Sequence, residues 1–444
     1  MTAKLLVWRR WTVWIMFLDS WRTPVAGILH SGLGGGNGSG SWRAGLSEVQ
    51  MPMNTSKSIG FSALEGQWQQ NATLALDTIA MRETSRIPTW LVNAMQWSHL
   101  EKFSGNPPGS YEQDPVRVYR EFCLQCGICF LDQWIPENPL SMRDQGFGHQ
   151  TQLGATTGAS QVIRDGMVID SPEAAIEHME RFLFPQWEQS ARELVAQAEA
   201  EVGRRIAGEV EIQRLFGSNM VKGPYNGFFR FPGFHYGQYG YENFFAAYAL
   251  YPEVMERAFS IQADVAVIHN GISARAIVEG GLPRLLRLDH DMADSRGILV
   301  DVKTLDALWF PHFERAIQPF LDAGIRLIWH CDGNLMEMVP RLLECGLGGF
   351  QGFQYEDGMD YEKICQMKTR EGEDLFIIGG GSVTTTLPHG TAAEVRQQID
   401  WLVEKGPRAG LMLGCSSSIV PGTPTRNMET LIEGLAYYRE HGRN

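Results

Sequence analysis

The run Leu327-Ile328-Trp329-His330-Cys331-Asp332-Gly333-Asn334 puts an imidazole, a thiol and a carboxylate at the end of an apolar stretch, immediately before a glycine. Side chains alternate along a strand, so His330 and Asp332 leave on one side and Cys331 on the other. Cys415 closes a second apolar stretch. Imidazole, carboxylate and thiolate all bind zinc, and three protein ligands leave a fourth position open for chemistry. His330, Asp332 and Cys415 are therefore the candidate metal ligands. Spacing alone leaves the plainer readings open: a hydrogen-bonded histidine at a strand end, and a cysteine acting as a small buried hydrophobe.

Other chemistry-bearing residues fall in comparable places. Asp132 follows the stretch Gly127 to Leu131, and Asp289-His290-Asp291 closes Leu285 to Asp289. Gly379-Gly380-Gly381 follows Leu375 to Ile378 and offers backbone amides to an anion, or simply a tight turn. It lacks the Walker lysine and the G-x-G-x-x-G order of nucleotide sites. Cys123, Cys126 and Cys129 form C-x-x-C-x-x-C, but the ferredoxin continuation is missing, and an apolar helix face for Cys123 and Cys126 with Cys129 in the following strand is the better reading. The aromatic run from Tyr225 to Phe245 suits either a pocket for a flat ligand or core.

These residues need elements that bring them together. In the C-terminal half, helical periodicity over Leu305 to Leu321, broken by Pro311 and Pro319, precedes a strand from Ile325 to Trp329. An amphipathic segment from Leu335 to Leu343, a strand near Phe350 to Phe353 and a helix from Tyr361 to Arg370 follow. The cycle repeats with a strand ending at Ile378, a helix from Thr391 to Lys405, a strand from Gly410 to Leu413 and a helix from Asn427 to Arg439. Such alternation indicates βαβ units and a parallel sheet, in the form of a (β/α)₈ barrel or a doubly wound sheet. Earlier strands are read at Gly127 to Leu131, Asp264 to His269 and Leu285 to Asp289. Pro172 to Gln213 reads as helical, an insertion or cap. The candidate residues then sit at carboxyl ends of strands, where such sheets place their sites.

With 444 residues, 44% of them hydrophobic, the chain can bury a large core. Its 38 basic and 51 acidic residues give a formal charge of −13, which disfavours nucleic acid and anionic membrane as partners. Seven cysteines in an otherwise ordinary composition fit a reducing, cytoplasmic setting. Residues 1–53 read as an N-terminal extension, with a glycine-rich run at Gly34 to Gly40 and an alternative start at Met51 or Met53; residues 54–444 read as the folded body.

Several stretches together resemble the uroporphyrinogen decarboxylase family. They are Arg86-Ile87-Pro88-Thr89-Trp90, Ile128 to Asp132, Asp289 to Leu299, Ile377 to Gly381, Leu387 to Thr391, and Leu413-Gly414-Cys415 ahead of Pro421-Gly422-Thr423-Pro424. The resemblance implies a (β/α)₈ barrel whose members are decarboxylases or zinc-dependent methyltransferases working with a corrinoid protein. In the decarboxylases, arginines for a polycarboxylate follow the Arg-x-Pro-x-Trp stretch, whereas Leu91 to Trp97 has none. Cysteine at position 415 is the methyltransferase choice, yet those enzymes pair it with His-x-Cys, and this chain has His330-Cys331-Asp332. The resemblance thus implies a methyltransferase with Zn²⁺ on His330, Asp332 and Cys415, a small-molecule substrate and a separate corrinoid partner. Asp132, matching the decarboxylase aspartate, and Asp289 are the expected catalytic residues, and Gly379, Gly380 and Gly381 the expected cofactor contacts. A metal-free decarboxylase centred on Asp132 and a non-catalytic ligand-binding barrel are the alternatives.

Overall fold

The computed structural model describes residues 61–137 and 162–443, so the extension assigned to residues 1–53 lies outside the described residues. Seven strands run parallel: β1 Phe130–Leu131, β2 Val221–Lys222, β3 Leu285–Asp289, β4 Arg326–His330, β5 Gly349–Gln351, β6 Phe376–Gly381 and β7 Leu411–Cys415. Strands β3 to β7 form one sheet in sequential order, and β1 pairs with β2. Single parallel bridges from Thr89 to Leu413 and from Trp90 to Phe130 insert the Thr89-Trp90 segment between β7 and β1. Parallel order therefore runs continuously from β3 round to β2. Among the described residues no backbone pairing joins β2 to β3, so hydrogen bonding does not close a barrel.

Helices separate the strands as the periodicity requires. Trp309 breaks the segment between helices Val302–Leu308 and Phe310–Asp322; the second opens with Pro311 in its first turn, where a missing N–H costs nothing, and carries Pro319 inside it. Helix Ala392–Lys405 starts on a capping box in which Thr391 and Glu394 satisfy each other's backbone donors. Two expected elements are shorter: helix Val339–Cys345 occupies only the end of the amphipathic segment, and the helix from Tyr361 stops at Gln366.

Two expectations are corrected. Asp264 to His269 is not a strand but the middle of helix Pro252–Glu279. The β-branched residues there misled the local reading, while Met255, Phe259, Ala263, Ala266, Asn270 and Ile277 recur at helical spacing and are buried. The glycine triplet does not follow β6 as a turn; it lies within it, paired residue for residue with Leu413, Gly414 and Cys415 of β7. These glycines answer to packing: a Cβ on Gly380 would lie 2.2 Å from the backbone carbon of Cys415, and one on Gly379 3.1 Å from the Tyr361 hydroxyl. Gly380 also hydrogen bonds to the Tyr355 hydroxyl through both its N–H and its carbonyl.

The aromatic run is largely core. Phe231 packs against Trp329 at 5.3 Å and Phe313 at 5.6 Å, Trp309 stacks on Phe313 at 4.6 Å, and the Trp309 indole donates to the Pro232 carbonyl at 2.7 Å. Each such pair adds about 0.5–1.5 kcal/mol beyond area burial. These rings clamp the 228–234 loop to the back of β4, opposite His330 in the strand's alternation. A cavity of about 580 Å³ opens at the amino ends of the strands, between helix Gln70–Ile79 and Arg284, Arg326 and Glu373, far from the chemistry-bearing residues.

Gly380→Ala is expected to destabilise the protein by about 3 kcal/mol because backbone must move, whereas Gly271→Ala, within a helix where a Cβ meets nothing within 4 Å, should stabilise it by about 0.5–1 kcal/mol. Urea denaturation of the two variants checks both signs.

Candidate active site at the carboxyl ends of the strands

Asp132 directly follows β1 and is buried. Its Oδ1 accepts from the Trp90 indole at 3.1 Å and the Gln133 amide at 2.8 Å, and its Oδ2 accepts from Arg287 Nε at 2.8 Å. Arg287 lies in the middle of β3, 4% exposed, and reaches two residues along its own strand to Asp289 at 3.2 Å. The guanidinium lies 4.1 Å from the Tyr225 ring centroid and 5.2 Å from that of Trp90. Tyr225 donates its hydroxyl to Asp289, a side-chain link across the seam between β2 and β3. Burial works against the arginine's charge, but Asp132, Tyr225 and Asp289 outweigh it and hold its pKa above the ordinary value.

Beyond Asp289 a second group of acids gathers round His330. Parallel pairing sets Asp289 beside His330 in register. Asp291 lies on the turn after β3, where its Oδ1 accepts the Asp332 amide at 2.9 Å. The Asp332 carboxylate comes within 3.9 Å of His330 Nε2 and accepts weakly from Ser417 at 3.4 Å. Burial, then the charges of Asp332 and Asp289, pushes the Asp291 carboxyl up; burial also raises Asp332, with His330 pulling the other way and Asp289 adding to the rise. His290 turns from this group: its Nε2 accepts the Phe234 amide at 3.0 Å, and burial, with nearby His235, brings its pKa down to about 4.

Several buried polar atoms at these strand ends have no hydrogen-bond partner among the described residues: Asn93 Oδ1, Arg287 Nη2, His330 Nδ1, Asp332 Oδ1 and Gln351 Oε1. An unmet buried group costs about 1–3 kcal/mol, so these atoms, five of the fifteen such atoms among the described residues, are open to a ligand or water.

The residues expected as ligands divide. Among the described residues, Asp289, Asp291 and His330 form the group of metal-binding side chains whose ligand atoms all lie within 4.8 Å of one another. Asp332 adjoins it through His330. Cys415 stands apart on β7; its buried thiol faces the Leu91 carbonyl at 3.6 Å and the Asn93 amide at 3.5 Å, and burial raises it to about 11. The thiolate zinc set of His330, Asp332 and Cys415 thus does not fit this arrangement. Cys331 is also taken up, accepting the Met292 amide at 3.3 Å and donating to the Asp332 carbonyl. Cys123, Cys126 and Cys129 are buried, free thiols outside any such group, with pKa values raised by burial.

Asp132 and Asp289 do share a site, but as the two anions of one arginine. Arg287 was not among the expected site residues, although a lone arginine inside Leu285-Leu286-Arg287-Leu288 is a visible signal: a charge in a buried strand must have partners. Asp291 carries no sequence signal beyond its place as the second acid of Asp-His-Asp. Gly379, Gly380 and Gly381 belong to the sheet; neighbouring atoms crowd the Cβ positions of Gly379 and Gly380, while a Cβ on Gly381 would make ordinary contact with Leu387 and Leu431.

No family model matches the chain, and no curated protein matches its sequence. Among solved structures it is similar to a methyltransferase from Methanosarcina mazei at 15% identity, covering 83% of this chain and 99% of that one with a TM-score of 0.47. It is also similar to a putative vitamin B12-independent methionine synthase from Listeria monocytogenes at 13% identity, covering 81% and 97% of the two chains with a TM-score of 0.39. The described residues contain no helix long and apolar enough to cross a membrane.

Arg287→Met leaves Asp132 and Asp289 buried without their cation and should cost about 3–5 kcal/mol. Adding Asp132→Asn should restore part of that loss. Chemical denaturation of the single and double variants measures it, and equal stability of Arg287→Met and wild type would show that the pair is not buried as described.

Proposed function

We propose that the chain is a (β/α)₈-barrel methyltransferase that moves a methyl group from a separate corrinoid protein to a small acceptor bound at the carboxyl ends of its strands. The observation that carries this reading is the meeting of His330 with Asp289, Asp291 and Asp332 beside unmet polar atoms. The motifs that resemble the uroporphyrinogen decarboxylase family, and the absence of arginines from Leu91 to Trp97, support the methyltransferase branch. Parallel order running from β3 round to β2 supports the barrel.

In such a transfer a bond forms between the acceptor atom and the methyl carbon, the donor's bond to that carbon breaks, and its electron pair stays with the donor. The acceptor's proton must leave. Asp332, with one oxygen unpartnered and its pKa raised by burial, is placed to take it. Arg287 bonds to both Asp132 and Asp289 and so positions the floor of the site. A divalent cation, when bound, would supply Lewis acidity that lowers the acceptor's pKa.

Decarboxylation centred on Asp132 is less well supported, because both its oxygens already accept hydrogen bonds from Trp90, Gln133 and Arg287. A barrel that binds a ligand without turnover would use the same unmet atoms. Incubation with methylcobalamin as donor and a panel of thiols and hydroxyl compounds separates these readings. Loss of the methylated corrinoid spectrum with methylated acceptor formed, reduced at least 100-fold in His330→Ala, is the expected result. Release of carbon dioxide from a porphyrinogen, with no methyl transfer, would contradict it.

A further inference from the structure

The mismatch between the thiolate zinc set and the structure points to a different donor set. His330 is 5% exposed, and among the described residues neither ring nitrogen has a hydrogen-bond partner: Nδ1 lies beside Gly352 and meets none, and Nε2 has its carboxylate neighbour, Asp332 Oδ1, only at 3.9 Å. A buried imidazole ordinarily donates from one nitrogen and accepts at the other. This one instead offers its lone pair to a site whose other walls are the Asp289 and Asp291 carboxylates.

Charge gives the second argument. Asp289, Asp291 and Asp332 crowd one imidazole, and the neighbouring guanidinium, Arg287, is already shared between Asp132 and Asp289. Carboxylates so placed repel one another, and either a proton taken up by one of them or a cation among them relieves the repulsion. Distance gives the third. Three ligand atoms bound about 2.0–2.2 Å from one ion stand about 3–4 Å from one another, and these three lie within 4.8 Å of one another, so a modest inward movement of the side chains brings them onto an ion.

We propose that this chain binds a divalent cation through Asp289, Asp291 and His330, and that Cys415 is not a ligand. Two carboxylates and one imidazole form a harder set than one containing a thiolate, and they suit Mn²⁺ or Zn²⁺ with open positions for oxygen ligands. The substrate class that completes such coordination carries a hydroxyl or carboxylate rather than a thiol. The inference rests on reading the carboxyl ends of the strands as the active site, and it sharpens the choice of acceptor.

Isothermal titration of the metal-stripped full chain with Mn²⁺ and with Zn²⁺ tests it without turnover. About one ion per chain is expected, with affinity lowered at least tenfold in Asp291→Asn and His330→Ala and changed less than twofold in Cys415→Ser. Circular dichroism of each variant establishes that it is folded, and Asp291→Asn keeps the side chain's shape should His330→Ala fail to fold. Absence of binding by the folded wild type, or loss in Cys415→Ser as large as in His330→Ala, overturns the proposal. Metal binding as expected, with no methyl transfer from any donor, leaves the site standing and removes the methyltransferase reading instead.

Discussion

The architecture turns on one buried guanidinium. Arg287 projects from the centre of β3 into a space walled by Trp90 and Tyr225, and there binds Asp132 from the end of β1 and Asp289 from its own strand. Removing either kind of partner from a buried ion pair leaves a charge with nowhere to go, so these residues fix one another. The interaction also does what the backbone does not. No ladder joins β2 to β3 among the described residues; the Tyr225 to Asp289 hydrogen bond links these two edges, and the Arg287 to Asp132 pair links β3 to the end of β1. The parallel order is held at its seam by side chains, and those side chains are the floor of the candidate site.

From that floor follows the character of what sits above it. Once Arg287 has been shared between two aspartates, Asp291 and Asp332 have no comparable cation beside them among the described residues, and His330 adds only a lone pair or, if protonated, one charge. A sheet that gathers acids at one end and leaves their neighbours' polar atoms unmet is prepared for a positively charged or strongly hydrogen-bonding occupant. The amino ends differ. The cavity there lies between an N-terminal helix and residues of both charges, with Arg326 paired to Glu373. Chemistry and scaffold are thus separated along the strand direction, as parallel α/β sheets require.

The C-terminal half was the more legible in sequence, because each strand there is bounded by a glycine or a polar turn and each helix by a cap or proline. The helix read from Thr391 to Lys405 starts at Ala392, and the break read at Pro311 falls where helix Phe310–Asp322 begins. The first half was harder. Its strands β1 and β2 are two residues long, too short for alternation to register. Asp264 to His269 shows a local pattern overruled by its helical context. At the site, His330, Asp332, Asp132 and Asp289 were readable as residue types at strand ends. What was not readable was direction: whether Cys415 faces the acids or the Leu91-Asn93 segment depends on packing that no spacing rule encodes. The glycine triplet carries the same lesson. Its composition suggested a turn, while the need for close contact with Cys415 and Tyr361 makes it part of a strand.

The central claim is that the acids round His330 form a cation site without a thiolate. Anomalous diffraction from crystals of the protein soaked in Mn²⁺ tests it most directly. The account predicts a single strong peak bounded by the carboxylates of Asp289 and Asp291 and the imidazole of His330, with Cys415 still turned toward Leu91. A peak bonded to Cys415, or an empty site among intact and ordered acids, would contradict it.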